Sequence, residues 1–245
     1  MNFANFVIFK RELKAYFETP VAFVFMTIYL FLSAILTFYV GNFYEMGHAD
    51  LEAFFSWQPW LYLFLMPAIS MRLWAEEKRS GTFELLMTLP IKPYYLVIIK
   101  HLAALSFAII CLIFTFPIWL TVNYLGEPDN GVIIASYFAC ILLAACFLSL
   151  GECVSVFTKN QVIAYVVSIT ICFLFMVSGF PLVINFFISL GLPQFIIDTI
   201  SSFSLTAAFE DMSRGVINLQ HIFYVVTLTI SAYIINIAAI LYRRR

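Results

Sequence analysis

Long apolar runs, and not the alternation of a half-buried strand, organise this chain. The first, Val21–Val40, is uncharged and about 20 residues long, enough to cross a hydrocarbon layer about 30 Å thick. Further runs at 58–74, 94–122, 132–157, 161–180 and 221–242 repeat the pattern and predict six membrane-spanning helices. Pro59 and Pro67 predict a kink in the second. The third would be about 43 Å long at about 1.5 Å per residue, so one end should protrude, with Lys100 and His101 snorkelling to the headgroups.

Two stretches depart from this pattern. Over 3–18, Phe6, Phe9, Leu13, Tyr16 and Phe17 share one helical face while Lys10, Arg11 and Lys14 turn away, which predicts a helix lying in the membrane interface. Thr19 and Pro20 then read as the N-cap and first residue of a new helix. Over 181–220, Leu182–Leu190 and Phe195–Ile200 are each too short to cross a bilayer and flank Gly191-Leu192-Pro193. They predict a re-entrant or surface-lying helical pair, with Asp198, Glu210, Asp211 and Arg214 marking its polar exit.

Composition agrees: 63% of residues are hydrophobic and 11% charged, against about a quarter charged in soluble domains. The reading is an all-α polytopic membrane protein, a single transmembrane domain over 1–245. A net charge of −1 gives no support to nucleic-acid binding. Lys10, Arg11, Lys14, Arg72, Lys78, Arg79, Lys92, Lys100, Lys159 and Arg243 to Arg245 all fall on one side of six spans, and only Arg214 falls on the other. The positive-inside rule makes that side, with both termini, cytoplasmic. The connection 123–131 and the segment 181–220 are then extracytoplasmic, and Thr158-Lys159-Asn160 is a tight cytoplasmic turn.

Little points to chemistry. Cys111, Cys140, Cys146, Cys153 and Cys172 lie in apolar runs without a CxxC pair, so they read as packing residues and not as a disulfide or metal framework. No HExxH, GxSxG or P-loop pattern occurs, and His48, His101 and His221 sit at span ends or in a loop. The chain reads as non-enzymatic, and any ATP and Mg would be held by a partner. The N-terminus does not read as a cleaved signal peptide. Glu152 is the one acid well inside a span. It reads either as a transport or proton-relay candidate or as an interfacial partner of Lys159, roughly 10 Å away along the helix.

The one long polar run is Met71–Pro93, MRLWAEEKRSGTFELLMTLPIKP, whose residues 75–93 form the largest cytoplasmic connection. Ser80 and Thr82 suit a helix N-terminus, Glu84 its first turn, and Pro90 its stop. Phe83, Leu86 and Met87 would share one apolar face exposed to the cytoplasm, either folded back on the interface or inserted in a partner's groove.

Pro67, Met71-Arg72, Ala75-Glu76-Glu77, Ser80-Gly81-Thr82, Glu84-Leu85-Leu86 and Thr88-Leu89-Pro90 closely resemble the segment after the second span in ABC-2 type transporter permeases. The nearest likeness is to the branch associated with gliding motility and nitrous-oxide-reductase maturation. Gly151, Thr158-Lys159-Asn160-Gln161, Phe203-Ser204-Leu205 and Arg214-Gly215-Val216-Ile217 extend the likeness more weakly, and Glu152 departs from it where an apolar residue is expected. The resemblance implies a multi-pass permease of a bacterial cell membrane. It would pair with a second permease chain, identical or related, and with two ABC ATPase subunits that bind ATP and Mg.

It also implies that 75–93 is a coupling helix docking on the ATPase through Phe83, Leu86 and Met87. Glu76, Glu77, Lys78, Arg79, Thr82 and Glu84 would contribute polar contacts around that dock. The apolar, aromatic-rich spans suit export of a hydrophobic or amphipathic solute. A device that transmits ATP-driven motion without passing a solute would carry the same coupling segment.

Overall fold

The computed structural model describes residues 3–243 except 46, 48, 89, 90 and 217. The Pro90 stop, His48, Leu89, Ile217, Arg244 and Arg245 lie outside the described residues. Every described element is helical. In chain order they are α1 (Phe3–Glu18), α2 (Pro20–Ile35, continued by a π-helical stretch Leu36–Val40), α3 (Glu52–Phe55), α4 (Gln58–Ser70), α5 (Arg72–Ser80), α6 (Thr82–Thr88) and α7 (Pro93–Ile113). There follow α8 (Phe116–Leu125), α9 (Asn130–Ser155), α10 (Gln161–Val177), α11 (Pro181–Ser189), α12 (Gln194–Ser202), α13 (Leu205–Ser213) and α14 (Leu219–Arg243).

Helix α9 is the mast of the bundle, with α4, α5, α7, α10, α13 and α14 packed around it. Asp129 starts it by accepting the N–H groups of Gly131 at 2.8 Å and Val132 at 3.3 Å, satisfying two of the donors left free at a helix start. Buried Ala135, Ala139, Ala144, Cys140 and Cys146 keep its surface shallow, so neighbouring backbones come close. At Gly151 the approach to α4 is extreme: a Cβ there would stand 1.9 Å from Ser70 Oγ.

Four helical stretches among the described residues, Ala22–Val40, Pro93–Leu125, Asn130–Ser155 and Leu219–Tyr242, are long and apolar enough to cross a membrane. Helices α10 and α11, bent by 79°, make a fifth if taken as one span. The expected second span is not among them, because α4 ends after 13 residues and α5 starts beyond Met71. Helix α4 is nevertheless central, buried along nearly its whole length, and Pro59 opens it where a kink was expected. The long third run breaks between α7 and α8 just ahead of Pro117, which cannot supply an N–H to Ile113.

Where a helical pair was expected over 181–220, three helices stand, α11, α12 and α13, with Gly191 turning between the first two at φ 71. Helix α13 is amphipathic: Leu205, Phe209 and Met212 pack inward while Glu210 and Arg214 face out. Thr19 does not cap α2; its hydroxyl donates back to Tyr16 O at 3.0 Å. Helix α1 lays Tyr16 and Phe17 against Phe107 of α7, with ring centroids 5.4 and 5.7 Å away, so the C-terminal half of its apolar face meets protein while Phe6 stays exposed.

Candidate functional site

At the end of α9 that carries Val156, α5 and α6 form a helix–turn–helix. Gly81, at φ 77, ends α5 in the left-handed conformation that glycine adopts without strain. Lys78 and Arg79 occupy the last turn of α5, where cations favour the helix dipole. Ser80 Oγ bonds Glu76 O at 2.9 Å and meets Thr82 Oγ1 at 2.8 Å, and Thr82 Oγ1 in turn donates to Glu77, so side chains stitch the turn.

The apolar face of α6 points the other way from the sequence expectation. Leu86 is 4% exposed, and Phe83 and Met87 are half-buried against the core. The Phe83 ring lies edge-on to Trp74, with centroids 6.0 Å apart. Hydrocarbon at this end finds protein and not water, so the outward face carries Glu76, Arg79, Thr82, Glu84, Leu85 and Thr88. Leu85, 68% exposed, is the apolar knob that the periodicity did not single out. Lys78 is likewise turned inward, donating to Val156 O and lying 5.3 Å from the centre of the Phe83 ring.

Beneath this segment lies a buried polar network. Lys100 is 3% exposed and does not snorkel. Its ammonium bonds Glu12 of α1 at 3.1 Å and Glu77 of α5 at 2.9 Å, and lies 5.4 Å from the centre of the Trp74 ring. Two carboxylates and an indole face compensate a charge that water would otherwise have to solvate. Burial pushes the Glu12 carboxyl up, but the charge of Lys100 and the hydrogen bonds from Arg11 and Lys100 outweigh it and hold the group below its ordinary value of 4.5.

Glu152 is fully buried and does not pair with Lys159, which is exposed. Its Oε1 accepts the Trp74 indole N–H at 3.0 Å, and its Oε2 stands 3.5 Å from Nδ1 of His101, itself buried and edge-on to Tyr233. One turn on, Ser155 Oγ accepts the backbone N–H groups of Trp74 and Ala75 at 3.1 and 3.0 Å and donates to Met71 O at 3.0 Å.

The predicted residues therefore divide. Glu76, Arg79, Thr82 and Glu84 are exposed together; Lys78 and Leu86 face the core; Glu77 and Glu152 belong to the network below. Trp74 and Lys100, its connecting residues, were missed, because their partners lie 78 and 88 residues away and leave no local signal.

At the opposite end of α9 a cavity of about 640 Å³ is walled by Phe55, Trp60, Phe180 and Phe209 and edged by Glu210 and Arg214. Glu152 does not line it. No cluster of metal-ligating side chains occurs among the described residues.

Comparison with family models matches residues 61–243 to the model described as ABC-2 family transporter protein. Comparison with curated proteins finds no match. The matched stretch takes in the helix–turn–helix, Glu77 and Glu152, and leaves α1 to α3 outside it.

Proposed function

The chain belongs to the ABC-2 transporter family, and from that premise we propose that it is the permease of an exporter for a hydrophobic or amphipathic solute. It is a membrane-embedded, multi-pass component of an ABC transporter, of a kind that is a non-catalytic subunit and works with an ABC ATPase.

In our reading α5 and α6 are the dock. The observation that carries it is the outward face of α6: Leu85 stands 68% exposed beside Glu84, while Lys78, Phe83, Leu86 and Met87 hold the other side against the bundle. A projecting leucine amid charge on a braced helix is suited to a partner's groove. Two ATPase subunits, holding ATP and Mg, would sit below two permease chains, identical or related. Closure of the ATPase pair would displace the dock and shift the permease between states that bind the ATPase differently.

Six crossings, with α4 making the second and α5 leaving the membrane, would put both termini and the dock in the cytoplasm of a bacterial cell. The aromatic walls of the 640 Å³ cavity, at the extracytoplasmic end in this topology, suit a solute with an apolar body.

Leu85→Asp tests the dock. The variant should insert and fold as the parent does, since the side chain touches solvent, yet fail to retain the ATPase on co-purification. Undiminished retention would overturn the assignment. Leu86 is a poor probe, because truncating a side chain so buried costs about 2–5 kcal/mol of stability by itself.

A further inference from the structure

We infer that Trp74 and Glu152 form the joint through which movement of the docking segment reaches the membrane helices, an inference that rests on the docking reading above. Trp74 sits three positions past the break at Met71, where α4 gives way to α5. It is fully buried, and its one ring system meets three other elements. Phe83 of α6 lies against it at 6.0 Å, the Lys100 ammonium of α7 at 5.4 Å, and Glu152 of α9 takes its N–H at 3.0 Å. The second oxygen of Glu152 reaches toward His101, one residue beyond Lys100, and His101 abuts Tyr233 of α14. A single side chain thus touches the segment expected to move and two helices that cross the membrane.

The chemistry suits transmission better than solute contact. Glu152 has no exposed surface and lines neither the 640 Å³ cavity nor the 220 Å³ cavity beside Arg72 and Glu76. A solute has no visible route to it, whereas its Oε1 is already held by Trp74. A buried side-chain hydrogen bond is directional, so α5 cannot slide along α9 without breaking it. Ser155 repeats the restraint one turn on, through the backbone of Trp74 and Ala75. Rotation of the dock therefore turns α9 and α7 with it. Glu152 is therefore a positioning residue.

The variants are Trp74→Phe, which keeps the ring and loses the N–H, Glu152→Leu, which loses the acceptor, and Glu152→Gln, whose amide oxygen still accepts. In the purified permease, amide exchange over residues 72–88 should rise about tenfold in Trp74→Phe and in Glu152→Leu. The double variant should rise no further than either single one, and Glu152→Gln should match the parent. With the ATPase bound, the first two should keep the partner but lose about tenfold in permease-stimulated kcat at unchanged KM for ATP, with Glu152→Gln restoring it.

Parental exchange, additive effects, or an unchanged stimulated kcat would each overturn the joint. Failure of the parent chain to hold the ATPase would instead overturn the docking reading and the joint with it. That outcome is told apart because the joint's own failure shows with the ATPase in place.

Discussion

Glu12 illustrates how much one side chain can hold in this protein. It lies on a helix whose cations predicted attachment to lipid headgroups, yet its carboxylate reaches inward to Lys100 at 3.1 Å. Its folded value is depressed, so its contribution to stability is complete above the ordinary value of 4.5 and is lost as pH falls through the lower folded value. The parent should therefore melt above Glu12→Gln near neutral pH, and the gap should close on acidification below about 4.5. A gap that widened on acidification would refute the pairing; thermal melts across pH decide it. Lys100 was misread for a plain reason. A lysine a few residues into a span snorkels by default, and only acids from 88 and 23 residues away make an inward position cheaper.

Helix by helix, the crossing of α4 and α9 depends on the absence of a side chain. Gly151→Ala would drive a methyl group into Ser70, whose own Cβ stands 2.9 Å from the new atom. We expect a loss of about 1–3 kcal/mol from this overpacking, measured as a lower midpoint in thermal or denaturant unfolding, and substantial recovery on adding Ser70→Gly. No recovery would mean that the crossing is looser than described.

The elements themselves were largely legible: apolar runs located α2, α9, α10 and α14, the turn Thr158-Lys159-Asn160 parted α9 from α10, and Gly191 divided α11 from α12. Phase was not. Seven residues of α6 present Phe83, Leu86 and Met87 on one stripe whether that stripe faces core or water, and periodicity cannot choose. The choice is made by Trp74 and the Lys78 stem, which offer the stripe a surface to cover. The break at Met71 was equally invisible, since apolar Leu73 and Trp74 follow Arg72 and carry the run of the second span on to 74.

Taken whole, the molecule has its charged dock and its aromatic cavity at opposite ends of α9. If six crossings hold, those ends face opposite sides of the membrane. Cysteines introduced at Lys159 and at Glu127, both exposed, report this directly. An impermeant thiol reagent added outside intact cells should label Glu127→Cys and leave Lys159→Cys unlabelled until the membrane is opened. The native cysteines interfere little, four being buried and Cys153 half-buried. Labelling of Lys159→Cys from outside would sink the topology.

The clasp on Lys100 also sets an order of events during synthesis. Glu12 and Glu77 leave the ribosome before Lys100, the buried cation that joins them, and until then Glu12 has its neighbour Arg11 as counter-charge. At about 5–20 residues per second, the 88 residues separating Glu12 from Lys100 take roughly 4 to 18 seconds. Arrival of α7 then recruits the nearby Glu77 and the distant Glu12 together, so insertion of that one helix commits the N-terminal helix and the dock to their final places.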